Sequence, residues 1–254
     1  LQQAGYYTSN NSKTDYNVVT HGGWDDSSPN AIWRNRQAGQ PFLHVQNTAL
    51  THESSLHFSR EEMEMTANKT TSESITLFPY FPDTPTFRYT HARYLDNHVR
   101  VDNYFADYIS MLEEDGVLDD TFIFYFGDHG GVLPRGKGYV YENGLHVPLV
   151  IYVPKNWKHL VDADYGSRIE GFVSFIDFAP TILNLAGIDI PPHMDGRPFL
   201  GTGVSMEEVN RRNEVFGYAD RFDEKIDHVR ALRKGNLKYI RNYQPFNVDG
   251  LFNE

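Results

Sequence analysis

Three continuous runs of apolar and aromatic residues constrain the fold of this chain more than any other feature of its sequence. They span residues 41–47, 121–127 and 147–153, and the second, Thr-Phe-Ile-Phe-Tyr-Phe-Gly, is the most apolar. Because their apolar residues follow one another instead of alternating with polar ones, the pattern indicates strands that are covered on both faces. Such strands are typical of the parallel sheet of an α/β protein.

Two helices are predicted around these strands. Apolar side chains recur with helical spacing over residues 88–115, after a polar and then proline-rich segment, residues 54–90, that we expect to be a surface excursion. The apolar face of this helix comprises Tyr94, Leu95, Val99, Phe105, Tyr108, Ile109 and Leu112. A second helix begins near Ile176, takes Pro180 into its first turn and stops at Gly187. A helix followed by a buried strand is half of a βαβ unit, which favours an α/β fold.

The last part of the chain follows a different pattern. Residues 229–233 and 237–242 alternate apolar and charged side chains around a Gly-Asn turn, which predicts a β-hairpin with one face in solvent. The pattern changes between residues 200 and 214. We therefore divide the chain into an α/β core, residues 1–205, and the start of a small antiparallel subdomain, residues 206–254.

Composition excludes several classes of function. Lys and Arg number 23 and Asp and Glu number 34, and the resulting net charge of −11 makes a nucleic-acid partner unexpected. No stretch approaches the roughly 18 consecutive apolar residues of a membrane span, so none is expected. The 254 residues contain no cysteine, which excludes disulfides, thiolate metal sites and a cysteine nucleophile among them.

The segment Phe126-Gly-Asp-His-Gly-Gly131 places Asp128 and His129 directly after the most apolar strand. Ligands of open α/β sheets bind beyond the carboxyl ends of the strands. A carboxylate oxygen and an imidazole nitrogen there suit Ca²⁺, Mg²⁺, Mn²⁺ or Zn²⁺, and Gly130 and Gly131 would let backbone approach an ion or oxyanion closely. The alternative interpretation is an ordinary turn in which Asp128 caps the next element.

Three further polar loops are candidates for a site. Pro134-Arg-Gly-Lys-Gly138 offers two cations among glycines for a tetrahedral oxyanion, although a solvated basic turn has the same composition. Residues 10–15 contain Lys13, and residues 51–54 contain His52. Loops after helices and strands often carry function, but either loop alone is also compatible with a plain connection.

Several short motifs follow one another along the chain: Gly5-Tyr-Tyr-Thr8 with Lys13, Leu95-Asp96, Leu118-Asp-Asp-Thr121, Gly127-Asp-His-Gly130, Lys137, Tyr141-Glu-Asn-Gly144, Asp177-Phe-Ala-Pro-Thr181 and Leu185-Ala-Gly187. Together they resemble the sulfatases of the alkaline-phosphatase-like superfamily. Residues 134–137, 220–224 and 238–242 are most similar to the branch that holds the N-sulfoglucosamine sulfohydrolases and polysaccharide sulfatases. The resemblance implies an α/β sandwich of the alkaline-phosphatase type, with a mostly parallel central sheet flanked by helices.

The resemblance implies a role for each matching residue. Asp128 and His129 match the pair that completes a divalent-ion site, normally Ca²⁺, with other divalent cations as alternatives. Lys137 matches the lysine that contacts the sulfate group, His52 the histidine that faces the leaving-group oxygen, and Lys13 the lysine near the nucleophile.

The rim of the implied site is less specific. By position, Arg135 and His146 are candidate substrate contacts, and Arg221 belongs to an aromatic and arginine-bearing rim with Tyr139 and Arg241 that could hold an anionic sugar.

The sequence departs from the sulfatase pattern at two points. Sulfatases often have Lys-x-His where this chain has Lys13-Thr-Asp15, so no role is assigned to Asp15. The early metal-binding Asp pair and the Cys/Ser-x-Pro-x-Arg segment, whose Cys or Ser becomes formylglycine, are absent from these residues. We expect both upstream of Leu1, in a longer enzyme of which this chain is the C-terminal portion. Without those upstream residues we expect the chain to be inactive.

The implied function is hydrolysis of a sulfuric ester or sulfamate on a sulfated sugar or polysaccharide, in an exported, periplasmic, extracellular or lysosomal enzyme. Two alternatives remain open. One is a hydrolase of phosphate or phosphonate esters from the same superfamily, and the other is a split or degenerate relative that binds without catalysis. Metal content and the identity of the nucleophile distinguish them.

Overall fold

The computed structural model describes residues 1–19, 22–222 and 225–247, with backbone only at residues 222 and 225. Within these ranges the strands are β1 (Tyr7–Asn10), β2 (Asp26–Ser27), β3 (Phe42–Val45), β4 (Ile123–Phe126), β5 (Leu149–Tyr152), β6 (Glu214–Phe222), β7 (Lys225–Lys234) and β8 (Leu237–Asn242). The α-helices are α1 (Arg60–Met65), α2 (Pro85–Glu114), α3 (Glu142–Leu145), α4 (Phe178–Leu185) and α5 (Met206–Asn210).

The first sheet is parallel and has the strand order β2-β1-β3. Tyr7 of β1 lies opposite Phe42 of β3, and Asn10 lies opposite Val45. The strand predicted at residues 41–47 is therefore confirmed, and so is its parallel pairing. Parallel strands need a long crossover connection, and the residues between β1 and β3 provide it.

Polar side chains of β1 lie in the interior of this sheet. Ser9 and Asn10 are fully buried. The Ser9 hydroxyl and His44 Nδ1 form a hydrogen bond of 2.8 Å, and Asn10 Nδ2 donates to the carbonyl oxygen of Lys13 at 2.8 Å. Because buried polar groups need partners, these bonds fix the strand end and the turn that follows it. Lys13 is thereby held just beyond the carboxyl end of β1.

The second sheet corrects the prediction of one mostly parallel central sheet. β4 and β5 pair with each other in antiparallel orientation, with Ile123 opposite Tyr152 and Phe126 opposite Leu149. They are also not covered on both faces, since Val150 is 61% exposed. An apolar run reports burial but not direction, and here the loop and α3 between the strands bring β5 back alongside β4.

The long helix α2 is confirmed, but it begins one turn earlier than predicted. The Thr84 hydroxyl accepts from the N–H of Phe87, and Pro85 fits the first helical position. The predicted apolar face is partly wrong, because Leu95 and Val99 are 39% and 56% exposed. Its fully buried positions are Tyr89, Ala92, Asn97, Val101 and Leu112.

The segment before α2 was predicted to be a surface excursion, and the structure packs part of it onto the helix. Ile75 and Phe81 are buried. The carboxylate of Asp96 on α2 accepts from the N–H groups of Lys69 and Thr70 at 2.6 and 3.0 Å. These bonds hold the polar loop against the helix, so its polarity reflects its contacts as well as its exposure.

Helix α4 follows a 3-10 turn at Phe175–Asp177, close to the predicted start at Ile176. Pro180 lies in its first turn, and Gly187 follows it in the left-handed conformation at φ 68°, as the sequence predicts. The helix packs beside β4 and β5 on a buried cluster of Val161, Phe199, Leu200, Met206 and Val209. This cluster is the main core of the described chain.

The third sheet is antiparallel and has the order β6-β7-β8. The hairpin predicted from residues 229–233 and 237–242 is confirmed, with Gly235 in its turn at φ 53°. β6 adds a third strand that the alternation did not predict. The boundary between residues 205 and 206 lies just before α5 and stays a prediction, and residues 223–224 and 248–254 of the proposed subdomain lie outside the described residues. In the described ranges no helix combines the length and hydropathy needed to cross a bilayer.

Candidate active site

Asp128 and His129 lie in the loop that follows β4, as the sequence predicts. Lys13, from the turn after β1, donates a hydrogen bond from Nζ to Asp128 Oδ2 at 3.2 Å. His129 Nε2 lies 3.7 Å from Asp128 Oδ1. Residues that are 115 positions apart in sequence are thus brought together where two strands end.

Lys137 and His52 reach the same region through a carboxylate. Lys137 Nζ donates to Glu53 Oε2 at 2.7 Å, and Glu53 follows His52 directly. His52 Nδ1 accepts from the N–H of Ser54 at 3.3 Å. In this arrangement the neutral ring carries its proton on Nε2, so the end of the imidazole that faces away from its own backbone is the donor.

The two carboxylates of the cluster are both ionised near neutral pH. Burial raises the pKa of the Asp128 carboxyl. The charges of His129 and Lys13 lower this pKa by more than burial raises it, so that it lies below its usual value. The hydrogen bond from Lys137 lowers the pKa of Glu53 against the effect of burial, and the charges of His52 and His129 add to this lowering. Through these mutual effects the charges of Glu53 and of five other residues depend on one another. The five are Lys13, His52, Asp128, His129 and Lys137.

Glycines pack the loop after β4 against its neighbours. A Cβ on Gly130 would lie 1.6 Å from the carbonyl oxygen of Asn143, and one on Gly131 would lie 2.4 Å from the Tyr94 hydroxyl. These positions require glycine because the protein packs closely against them, and the approach of their backbone to an ion or oxyanion stays a prediction. The N–H of Lys137 also donates to the carbonyl of Gly131 at 2.8 Å, which ties the lysine to this loop.

Arg135 lies two residues before Lys137, and its guanidinium carbon sits over two tyrosine rings. The distances are 4.8 Å to the ring centroid of Tyr80 and 4.4 Å to that of Tyr141. The backbone of Arg135 has φ 69°, an uncommon conformation for a residue other than glycine. Its place beside Lys137 agrees with the prediction from position, while its role as a substrate contact stays a prediction.

His146 and Arg221 lie in other surroundings. His146 follows α3, and its N–H donates to the carbonyl of Glu142 at 2.8 Å. Against the effect of burial, Lys238 and then other cations, His146 among them, lower the pKa of Glu142. Arg221 lies on β6 opposite Ile226. Their roles as substrate contacts also stay predictions.

The chemistry of Asp128 and His129 fits a divalent cation. His129 Nδ1 donates to the carbonyl oxygen of Gly130 at 2.7 Å, so in the neutral form of the ring the Nε2 lone pair lies on the side of Asp128. The ammonium of Lys13 already occupies the other carboxylate oxygen, which is a favourable position for positive charge. Across the described ranges no three His, Asp or Glu side chains gather into a metal-binding group.

Two residues of the cluster were missed by the sequence interpretation. Glu53 lies in the loop of residues 51–54 and has no predicted role, although it binds Lys137. Tyr80, in the proline-rich segment, also has no predicted role, although it contacts Arg135. The acidic residue next to His52 was the available signal for Glu53, whereas nothing near Tyr80 in sequence indicates its partner.

Asp15, where sulfatases often carry histidine, is 81% exposed and lies 3.8 Å from Lys13 Nζ. It contributes at most a weak surface ion pair.

The structure is that of an α/β protein, since its helices pack beside strands. Its polar site lies beyond the ends of two strands, where charged side chains gather. The sequence pattern described as sulfatase matches residues 1–188, about three quarters of the chain, and the chain belongs to the sulfatase family. The pattern described as N-sulphoglucosamine sulphohydrolase, C-terminal, matches residues 127–254. The resemblance drawn from the sequence is confirmed, and the family implies an alkaline-phosphatase-like α/β fold.

Three relatives illustrate this membership. An ulvan-active sulfatase of Formosa agariphila is 37% identical over 279 residues, which cover 96% of this chain and 45% of the relative. The N-sulphoglucosamine sulphohydrolase of Homo sapiens is 27% identical over 68% of this chain and 36% of its own length. The extracellular sulfatase SULF-1 homolog of Drosophila melanogaster is 34% identical over 40% of this chain and 9% of its own length. The chain thus spans less than half the length of each.

Proposed function

We propose that the enzyme containing this chain hydrolyses sulfuric esters or sulfamates of a sulfated carbohydrate. The observation that carries the proposal is the cluster of Lys13, His52, Asp128, His129 and Lys137. It unites three segments that are distant in sequence and gathers cations beside two carboxylates. A sulfate monoester carries its negative charge on the sulfuryl oxygens, and preorganised cations are the groups that stabilise such charge.

Within this proposal each residue of the chain has a task. Lys137 binds the sulfuryl oxygens, and the Glu53 carboxylate holds its ammonium in place. Lys13, which donates to Asp128, is the lysine that we propose to act near the nucleophile. His52 offers its Nε2 proton to the departing oxygen or nitrogen, because Nδ1 is engaged by its own backbone loop.

Sulfatases generally use a divalent metal ion and a formylglycine, and we propose Ca²⁺ as the metal. Asp128 and His129 would be two of its ligands. Ca²⁺ takes about six to eight ligands, so others must join them. When present, the ion offsets charge on the sulfuryl oxygens and the formylglycine supplies the nucleophile. The 254 residues hold no Cys/Ser-x-Pro-x-Arg segment, so we infer that the formylglycine lies outside them.

The relatives support a proposal for the substrate class and for the compartment. One acts on ulvan and another is named for N-sulphoglucosamine, so we infer that the substrate is a sulfated sugar or polysaccharide. Arg135, His146 and Arg221 are the candidate contacts to its sugar part. A relative is named an extracellular sulfatase, which supports export of this enzyme.

The test is sulfate release by the full-length enzyme from sulfated oligosaccharides, with phosphate monoesters as the competing substrate class. We expect sulfate release with little phosphate release. We also expect Lys137→Ala to lower kcat/KM by about a hundredfold or more, because it removes a charge that stabilises the transition state. Chelation should abolish activity, and Ca²⁺ should restore it.

Other outcomes have clear meanings. Preferential phosphate release, with recovery by Zn²⁺ or Mn²⁺ instead of Ca²⁺, would indicate a phosphoesterase of the same superfamily. Binding of the sulfated oligosaccharide without any turnover would indicate a non-catalytic module. Lys137→Arg is the matched variant, since it keeps the charge but changes its shape, and it should fall between wild type and Lys137→Ala.

A further inference from the structure

Arg135 belongs to a continuous stack of side chains from two separate segments. The rings of Phe78 and Tyr80 are parallel to within 6° with centroids 5.5 Å apart, and the Arg135 guanidinium follows over Tyr80. Tyr141 lies on the guanidinium and stacks with Tyr139 at 6.0 Å. The order Phe78, Tyr80, Arg135, Tyr141, Tyr139 is called the aromatic stack below.

The two tyrosine rings that contact the Arg135 guanidinium are both held by helix α3. Asn143 Nδ2 donates a hydrogen bond to the Tyr80 hydroxyl, which ties the segment before α2 to helix α3. Tyr141 is the residue that precedes α3. The guanidinium therefore lies between rings that are both held by helix α3, and little of the rotamer entropy of the arginine remains to be lost on binding.

The backbone at Arg135 adds an independent indication. Its φ of 69° lies in the left-handed region that favours glycine, and glycines occupy positions 136 and 138 nearby. A non-glycine residue there carries a steric cost between its Cβ and the backbone. The contacts of the Arg135 guanidinium with Tyr80 and Tyr141 offset this cost.

The charge of Arg135 is available to a ligand. Among the described residues, no carboxylate pairs with its guanidinium, whereas Lys13 and Lys137 each have one. The Cα atoms of Arg135 and Lys137 are two positions apart and so within about 7 Å of each other. A group bound at Arg135 and a sulfate bound at Lys137 would therefore lie within the reach of one oligosaccharide.

We propose that the aromatic stack is a specificity subsite in which Arg135 binds a second anionic group, a carboxylate or another sulfate, of the oligosaccharide whose scissile sulfate lies at Lys137. The planar guanidinium can donate two parallel hydrogen bonds to either group. Tyr80 is the positioning residue, since it acts through Arg135. This subsite rests on the proposed function, because it assumes that a sulfated carbohydrate binds at Lys137.

The experiment uses the full-length enzyme and three matched oligosaccharides with the same scissile sulfate. One carries no other charge, one carries a uronate carboxylate and one a second sulfate. Wild type should prefer one or both of the doubly charged substrates. Arg135→Met should lower that preference, the ratio of kcat/KM values, about tenfold and mainly through KM, because it removes charge-assisted hydrogen bonds made at binding. The substrate whose preference falls identifies the anion.

Variants of the positioning residue keep the test independent of the folding of Arg135→Met. Tyr80→Leu should lower the preference several-fold, whereas Tyr80→Phe, which keeps the ring, should retain most of it. Arg211→Met removes an exposed arginine that pairs with Glu207 on α5, and it should leave all three rates unchanged.

Two results would overturn the subsite: equal loss on all three substrates in Arg135→Met, or a wild type without preference for the doubly charged ones. If wild type releases no sulfate from any of them, the proposed function fails instead. Calorimetric binding of the same oligosaccharides to wild type and Arg135→Met then decides the subsite separately, since only an anion contact weakens binding of the doubly charged compounds selectively.

Discussion

Glu53 shows how one side chain links the groups of the candidate site. Its ion pair with Lys137 spans 84 positions of the sequence, and Lys137 is only 20% exposed in it. A half-buried ammonium without a counter-charge would be costly, so the carboxylate stabilises the lysine and also fixes its direction. Glu53 also follows His52 directly in the chain, so its ion pair ties the loop of His52 to Lys137.

His44 is a buried residue with a consequence for pH. It hydrogen-bonds to Ser9 and Gln46 and packs against Trp33 and Tyr108. Burial lowers the pKa of His44 below its usual value, although the hydrogen bond with Gln46 opposes this. The folded protein therefore keeps the ring neutral at pH values where the unfolded chain has already bound a proton.

We expect His44 to make the protein less stable as the pH falls below about 6.5, the usual pKa of an unfolded histidine. In that range the unfolded state binds more protons, so the stability fully present above it is lost with a slope of at most about 1.4 kcal/mol per pH unit. The free energy of unfolding, measured by urea from pH 8 to pH 5, should fall less steeply in His44→Gln than in wild type.

The control for this pH dependence is His193→Gln, since His193 is exposed. Its slope with pH should follow wild type. Parallel slopes for wild type and His44→Gln would contradict the role of His44.

Among the elements, the loop from β4 to α3 is shaped by glycine backbones that touch other backbones. Gly130 donates its N–H to the carbonyl of Gly144 at 3.0 Å, and a Cβ on Gly136 would lie 1.8 Å from the carbonyl oxygen of Gly131. These contacts leave no room for side chains. They hold His129 and Lys137 in place without a regular element, and α3 closes the loop before β5.

Gly130→Ala tests this packing. The new methyl would meet the Asn143 carbonyl, so we expect a loss of at least about 2 kcal/mol of stability and a further loss of activity, because His129 is displaced. Thermal unfolding and sulfate release measure the two effects.

The matched control is Gly166→Ala. Gly166 has φ 78°, and no atom lies within 4 Å of the position that its Cβ would take, so only backbone strain of about 1 kcal/mol is expected and activity should persist. A smaller effect at Gly130 than at Gly166 would argue against close packing as the device that orders the loop.

In the molecule as a whole, the C-terminal sheet is fastened to the segment that carries the candidate subsite. Glu142 of α3 forms ion pairs with Arg233 of β7 and with Lys238 of β8, the latter at 2.5 Å. Lys238 Nζ also donates to the carbonyl of Val140, and Val140 packs with Val229 and Ala231. The third sheet thus contacts and stabilises the chain segment between Lys137 and α3.

Replacement of Glu142 should loosen this connection. In Glu142→Gln two partly buried cations lose their counter-charge, and we expect about 1–2 kcal/mol of destabilisation. Glu214→Gln breaks an exposed ion pair with Lys234 and should cost no more than about 0.5 kcal/mol. Urea unfolding measures the loss of stability in both variants. Equal losses would mean that the ion pairs of Glu142 stabilise the protein no more than an exposed surface ion pair does.

Features that depend on a few neighbouring residues could be predicted from the order of the amino acids alone. The apolar runs located β3, β4 and β5, and the glycine at 187 marked the end of α4 because it adopts the left-handed conformation. The Asp-His pair after β4 and the lysine at 137 were recognisable because residue type and spacing carry that information. Family membership followed from the order of such motifs.

Contacts that join distant segments became known only from the three-dimensional arrangement of the chain. An apolar run has no direction, so the antiparallel pairing of β4 and β5 depended on the path of the loop between them. Glu53 reaches Lys137 across 84 residues, and Glu142 reaches Arg233 across 91. Local propensities act over a few residues, whereas the packing of elements decides which distant residues meet. The contacts of Arg135 with Tyr80 and Tyr141 arise in the same way.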